Sequence, residues 1–322
     1  MIRARRNRVA ALVMVALGLY ASQASAQFKG LKPTYNPDDP YQVPDAPAPP
    51  TLPDLTHRAL ALSLEVMSGS IRPYPKEDGT QANRIAVALG RLEAELAISN
   101  RRWYLGYAQE LATGRVLSGD VSATVLSNPE FWGRALWASK AGLAYGGGIG
   151  FVPPLLRQDL DEDKQSVRAN IRVLRPWDYP HFAGQSFAVR PFVDVRSLDG
   201  PIMLQLRQGL DILQQVSDEI GGPSTTFTSR TTFYIGYRPI DELGIGLELW
   251  EVYFIKSPEV SDDQRAVFAV SPSIRWMTRV VQPAMSMMFP VDRPLFNSAK
   301  DYWALRLTVG LVLDPSPPSS IW

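Results

Sequence analysis

The run Trp303-Ala304-Leu305-Arg306-Leu307-Thr308-Val309-Gly310-Leu311-Val312-Leu313 places a large apolar residue at every odd position and a small or polar one at nearly every even position. Successive side chains of a strand point to opposite faces, so the run has one greasy face and one small or wet face. A buried parallel strand reads instead as an unbroken apolar run, and an amphipathic helix repeats every 3.6 residues. A tilted strand crosses a bilayer in about 9 to 11 residues, and only a closed barrel leaves no open sheet edge in hydrocarbon. The run therefore fits a membrane strand with lipid on one side and water on the other.

The same period recurs in twelve stretches, near 58–69, 84–98, 102–112, 131–138, 142–152, 187–196, 202–213, 228–237, 243–254, 266–276, 280–289 and 302–313. Five connections are short, at 99–100, 139–141, 197–200, 238–242 and 278–279, and all five follow an even-numbered stretch. The remaining connections are longer and polar, the longest running from 153 to 184. Short turns on one side and long loops on the other are the plan of an outer-membrane barrel. The expected fold is all-β, an up-and-down antiparallel transmembrane barrel of about 12 strands.

In such a barrel one parity of each strand must face lipid and the other the lumen. The stretch at 187–196 sends Phe187, Val189, Val193 and Val195 outward, and that at 202–213 sends Ile202, Leu204, Leu206, Leu210 and Ile212 outward. The residues expected to line the lumen are Glu65, Arg190, Asp194, Arg196, Arg207, Asp211, Arg230, Glu248, Arg275 and Arg306. Trp103, Tyr104, Tyr237, Trp276, Phe289, Tyr302 and Trp303 sit at the ends of the apolar bands, where interfacial aromatic girdles form. Pro191, Pro272 and Pro283 fall inside strands, where each removes a ladder hydrogen bond, so a bulge is expected at each. Ile85, Val87 and Leu89 keep one phase and Leu92, Ala94, Leu96 and Ile98 the other, which calls for a bulge near Gly90 or for a helix.

The termini carry their own signals. Arg3, Arg5, Arg6 and Arg8 precede an apolar run at 9–20 and then Ala24-Ser25-Ala26, the pattern of a secretory signal peptide cleaved after Ala26. Residues 27–56, with Pro33, Pro37, Pro40, Pro44, Pro47, Pro49, Pro50 and Pro53, read as an extended periplasmic tail. The barrel is expected over 57–314, with a C-terminal tail at 315–322. Zero cysteines leave no disulfide framework, and 33 Lys+Arg against 32 Asp+Glu leave no net field for nucleic acid.

Motifs for chemistry are sparse. His57 and His181 have no Ser or Asp at a spacing that marks a triad, so both read as incidental and the chain as not an enzyme. Asp159, Asp161, Glu162 and Asp163, and the pair Asp262-Asp263, read as solvated acidic loops without calcium-loop spacing, and no metal or cofactor is expected. Gly146-Gly147-Gly148-Ile149-Gly150 lacks the Lys-Ser/Thr of a phosphate loop; on a barrel strand such glycines allow curvature or the close approach of a plug. Between Asp161 and Arg175, Val167, Ile171 and Leu174 recur at helical spacing, so a short helix can lie over or in the barrel mouth.

With these segments in place the chain resembles Gram-negative outer-membrane β-barrels. The stretches 141–154 and 232–249 are similar to hairpins of uncharacterised transporter-like barrels of Proteobacteria, including outer-membrane proteins assigned to phenol pathways. The resemblance implies a barrel and solute passage without naming a substrate. The chain departs from such barrels at its end, where 314–322 separates Trp322 from the last strand. The reading is a narrow channel for small polar or anionic solutes in contact with outer-membrane lipid. The alternatives are a closed structural or adhesion barrel and, third, a barrel-wall hydrolase.

Overall fold

The computed structural model describes residues 60–73, 84–99, 102–116, 122–138, 143–156, 160–199, 201–216, 225–240, 243–257, 265–276, 281–291 and 299–313. The expected signal peptide, the Pro-rich stretch, the expected C-terminal tail, His57, Asp159 and Asp262-Asp263 lie outside them. The strands are β1 (Leu60–Pro73), β2 (Ile85–Ser99), β3 (Trp103–Val116), β4 (Ser122–Leu126), β5 (Glu130–Ala138), β6 (Leu143–Val152) and β7 (Ser186–Asp199). They continue with β8 (Ile202–Gln215), β9 (Thr225–Ile240), β10 (Leu243–Lys256), β11 (Ala266–Trp276), β12 (Val281–Pro290) and β13 (Ala299–Leu313). Each pairs antiparallel with its neighbour, and β1 pairs with both β2 and β13. β4 and β5 share one position, β4 on Leu111–Arg115 of β3 and β5 on Trp103–Ala108. With β2 also paired to β3, the sheet closes as a 12-strand up-and-down barrel.

The segment 122–126, expected as loop, is the upper half of that shared strand. The strand is broken at Ser127-Asn128-Pro129, where a short period-2 run cannot be told from a polar loop by sequence. On the lipid face Gln109 covers the break, its amide donating to the Ser127 carbonyl at 2.7 Å. The other boundaries agree with the sequence reading to within a few residues, including Ala266–Trp276.

Parity sorts the side chains as a membrane requires. Leu64, Leu92, Leu105, Phe131, Ile149, Val193, Leu206, Ile245, Phe268, Met285 and Leu307 are exposed outward, while Glu65, Glu110, Arg134, Arg190, Gln205, Glu248 and Arg306 are buried inside. Trp103, Trp276, Phe289 and Trp303 face out as expected, but Tyr104 and Tyr302 are buried, because adjacent residues of a strand cannot share a face.

No bulge forms at the three strand prolines. The β7–β8 ladder passes over Arg190 and Pro191 and resumes at Phe192↔Gly209 in the same register, while Pro191 stays paired with Ile149 on its other side. The β11–β12 ladder likewise skips Ser271 and Pro272 as β10 continues through Leu247↔Pro272, and β12–β13 runs unbroken through Pro283↔Val309. A strand residue's N–H points to one neighbour only, so each proline weakens one ladder and leaves the other whole. β2 also runs straight through Gly90, paired Val66↔Gly90 and Gly90↔Leu111. The apolar phase of Val87 and Leu89 is explained by what lies inside the barrel.

That object is the β6–β7 connection, which carries helix α1 (Glu162–Leu174) and a 3-10 segment (Pro176–Phe182). α1 packs on β13, β1, β2, β3 and β4. Its Val167, Ile171 and Leu174 are buried with Met67, Ile71, Val87, Leu89, Ala112 and Ala304 of the wall in one core, so the helical spacing marks the buried face. Close approach needs small wall residues. A Cβ at Gly114 would lie 2.9 Å from Val167, and one at Gly69 would lie 2.8 Å from the Trp303 carbonyl and 3.0 Å from Leu174. Three buried aliphatic side chains of this kind contribute about 1.5 to 3 kcal/mol each, which holds the helix inside.

Candidate functional site

α1 begins at Asp161, whose carboxylate accepts from the Lys164 backbone N–H at 2.8 Å, with Glu162 and Asp163 in the favourable first turn. The acidic stretch is thus exposed and caps a helix. The chain leaves α1 at Arg175 and delivers Arg175, Asp178 and His181 to the middle of the lumen, all buried.

There they meet charges from across the barrel. Arg175 pairs with Glu65 of β1 and, at 2.5 Å, with Asp178. Arg91 of β2 lies 2.5 Å from Glu110 of β3 and 3.5 Å from Asp178. His181 Nε2 is 2.9 Å from Glu130 of β5 and its Nδ1 is 3.2 Å from Glu110. Arg190 of β7 donates to Glu130 at 2.8 Å, to Asp211 of β8 at 3.0 Å and to the Trp177 carbonyl at 2.7 Å. Asp211 also holds Arg230 of β9 at 2.8 Å, and Arg306 of β13 reaches Glu65 at 3.1 Å and Glu248 of β10 at 3.8 Å. Asn128, in the break between β4 and β5, clamps the loop from the side. Its amide donates to the Ala183 carbonyl at 2.8 Å, its oxygen accepts from the Leu156 N–H at 2.5 Å, and its N–H donates to the His181 carbonyl at 2.7 Å.

Toward the loop end the plug is apolar. Trp177 meets Trp250 edge-on at 4.5 Å and Tyr179 meets Phe254 at 5.9 Å. Toward the turn end the wall is polar. Arg134 forks onto Glu95 at 2.5 and 2.8 Å, and Arg207 onto Asp194 at 2.6 and 2.9 Å while lying 4.2 Å over Phe192. Gln205, Arg196, Ser271, Gln282 and Ser286 are buried on the same faces.

Glu65, Arg190, Asp211, Arg230, Glu248 and Arg306 thus form one continuous network with the plug, and Asp194 pairs with Arg207 below it. Arg196 is buried and Arg275 lies 3.5 Å from Gln282 near the turn end. The sequence reading missed Arg91, Glu93, Glu95, Glu110, Glu130 and Arg134, although the same parity rule applied to β2, β3 and β5 selects them. His181 is not incidental, since two carboxylates and an arginine hold it. The Gly146–Gly150 run is approached by the wall, not the plug, with Arg134 and Phe192 over Gly148 and Arg190 over Gly150.

Glu110, Asp178 and His181 offer ligand atoms within 4.8 Å of one another. Arg91 and Arg175 already neutralise the two carboxylates at 2.5 Å, so the three side chains form part of an ion-pair lattice. Burial alone lowers the His181 imidazole, but Glu110, Glu130 and Asp178 more than reverse this and hold its pKa above 6.5, even with Arg190 Nη1 2.8 Å from Nε2. A raised pKa makes the ionic contribution complete below the unfolded value of about 6.5 and removes it as pH rises through the higher folded value. The plug should therefore loosen on the alkaline side. In bilayer recordings open events should become more frequent as pH rises through the elevated His181 pKa, and His181→Gln should flatten that dependence. A wild-type protein equally quiet at neutral and at alkaline pH would remove His181 as the titrating latch.

No protein-family model matches the chain, and no curated protein matches it in sequence. Among solved structures it is similar to an outer membrane channel from Pseudomonas putida F1, with 12% identity and a TM-score of 0.57 over 87% of this chain and 100% of that one. It is also similar to the NanC porin, with 12% identity and a TM-score of 0.51 over 78% of this chain and 100% of that one. At this identity the likeness shows the fold: the chain is a closed 12-strand up-and-down barrel, similar in architecture to these two proteins, with its longest loop folded into the lumen.

Proposed function

We propose that the protein is a narrow outer-membrane channel for small polar or anionic solutes, constricted by its own β6–β7 loop. In this reading the chain is exported through a signal peptide cleaved after Ala26, with residues 27–56 and the short turns on the periplasmic side. The observation that carries it is the composition of the turn-end lumen, where Arg196, Arg207, Gln205, Arg275 and Gln282 form a polar wall beneath the plug. A wall of hydrogen-bond donors suits solutes that must exchange water for protein contacts as they pass. The solved structures that share the fold carry the names channel and porin, in keeping with this assignment.

Planar-bilayer recording tests it. Arg275→Glu changes a wall charge by two and Arg207→Gln removes one. At on the order of 1 kcal/mol per unit charge, anion-to-cation permeability should fall about fivefold for each charge removed. Conducting variants with unchanged selectivity would take both residues off the pathway. A second reading, a closed structural barrel, is favoured by the apolar packing of α1 against Val87, Leu89 and Met67. It predicts no conductance from correctly folded protein under any of these conditions.

A further inference from the structure

Among the described residues, one row within the apolar band of the outer surface is polar and carries a carboxylate. Gln208 on β8, Thr231 on β9 and Glu251 on β10 are directly paired neighbours, Gln208↔Thr231 and Thr231↔Glu251, and all have the outward parity. Ser229, two residues along β9, shares that face. Thr231 donates to the Gln208 oxygen at 2.9 Å, and the Gln208 amide donates to Ser229 at 2.8 Å, its other contact being a long one of 3.4 Å to the Gly209 carbonyl that a carboxylate can replace. The Glu251 carboxylate has no hydrogen bond or ion pair among the described residues. The row is not at a membrane edge: Leu206 and Leu210 flank it on β8, Phe227 and Phe233 on β9, and Leu249 and Tyr253 on β10. Elsewhere in the band, Gln109 is occupied in covering the break at Ser127.

Lipid tails offer neither donors nor acceptors, so a carboxylate at this depth calls for a protein partner. We propose that this face is the contact between two copies of the chain, related by a two-fold axis along the membrane normal that passes beside Thr231. The order of the row selects a second copy over another protein. Two identical faces that meet about a two-fold axis oppose left to right, so the Glu251 end of one row meets the Gln208 end of the other, twice, with Thr231 opposite Thr231. Glu251 accepts and the Gln208 amide donates, so the row is complementary to itself. Strand tilt sets the two ends at heights about 6 Å apart, which two long side chains span between sheets packed about 10 Å apart. The flanking Leu206, Phe233, Leu249 and Tyr253 supply the apolar surround of the contact.

The chain has no cysteine, so one introduced thiol reports the contact cleanly. The full-length Thr231→Cys protein, treated in outer membranes with a short bismaleimide whose arm spans sheets about 10 Å apart, should form a covalent homodimer that runs at twice the monomer mass on a denaturing gel. Leu92→Cys, outward on β2 across the barrel, is the control. Its dimer band should be at least about tenfold weaker, since a fixed interface raises the effective thiol concentration and random collision does not. Gln208→Leu with Glu251→Leu, in the Thr231→Cys background, makes the face uniformly apolar and should reduce the dimer band to the Leu92→Cys level while the barrel keeps its heat-dependent gel shift. Equal cross-linking at both positions, a monomeric Thr231→Cys protein, or a cross-link to a different protein would each overturn the proposal.

Discussion

Cysteines placed at Gly114 and Val167 should form a disulfide that pins α1 to β3 and, if solutes pass only when the plug shifts, silences the channel until reductant is added. The geometry suits the bond: a Cβ at Gly114 would lie 3.6 Å from the Val167 Cβ, within the range for a disulfide. The loss should be nearly complete, because a covalent tie removes the displaced states altogether and does not merely disfavour them. The measurement is single-channel recording before and after reduction, with free-thiol titration to show that the bond has formed. Conductance that is unaffected by a formed disulfide would mean that solutes pass beside a stationary plug. No conductance in either redox state would instead favour the closed structural barrel.

Removing Arg175 should release the plug from the other side. Its guanidinium joins Glu65 of the wall to Asp178 of the loop at a buried site. Arg175→Met leaves both carboxylates short of a partner, although Arg306 still reaches Glu65 and Arg91 still reaches Asp178. Breaking one partner of a buried pair costs about 3 to 5 kcal/mol, and the remaining arginines place the expected loss near the lower end. The heat-dependent gel shift should occur at lower temperature and open events should become more frequent. Adding Glu65→Gln should recover part of the loss, because the stranded wall charge goes with it; simple additivity of the two substitutions would show that the residues are not coupled through this contact. Wild-type melting in Arg175→Met would remove the network as the latch.

The two experiments separate the forces that hold the loop. The disulfide acts on the apolar face of α1, where Val167, Ile171 and Leu174 meet the small-residue floor at Gly69, Ala112, Gly114 and Ala304. Arg175→Met acts on the ionic layer one helix end away. Apolar burial is non-directional and resists sliding weakly, whereas forked arginine–carboxylate pairs fix register. The division of labour follows: α1 is kept inside by its greasy face and kept in place by Arg175, Asp178 and His181.

Much of this was legible in the chain. Period-2 alternation under a lipid constraint decides which face of each strand is wet, because a one-residue slip would put Arg190 or Arg306 into hydrocarbon. The strand count and the alternation of turns and loops follow from the same rule, as does the inward placement of Glu65, Arg190, Asp194, Arg196, Asp211, Glu248 and Arg306. The spacing of Val167, Ile171 and Leu174 likewise marked the face that α1 buries.

What the alternation could not supply was the far side of each contact. Val87 and Leu89 break the outward apolar phase of β2, and without the helix they face, a bulge is the cheapest local explanation; the tertiary structure replaces it with an apolar patch inside the barrel. The prolines misled for a similar reason, since a lost hydrogen bond on one side is tolerated when the other ladder, known only from the assembled sheet, stays intact. His181 looked solitary because its partners Glu110 and Glu130 stand on two other elements, 71 and 51 residues earlier by numbering. By itself the sequence determined which side of a strand with unbroken alternation meets lipid, a property of single residues and a period. Only the tertiary structure decided that the lumen is filled and latched, because pairing between one loop and strands from all around the wall depends on distances that no local pattern encodes.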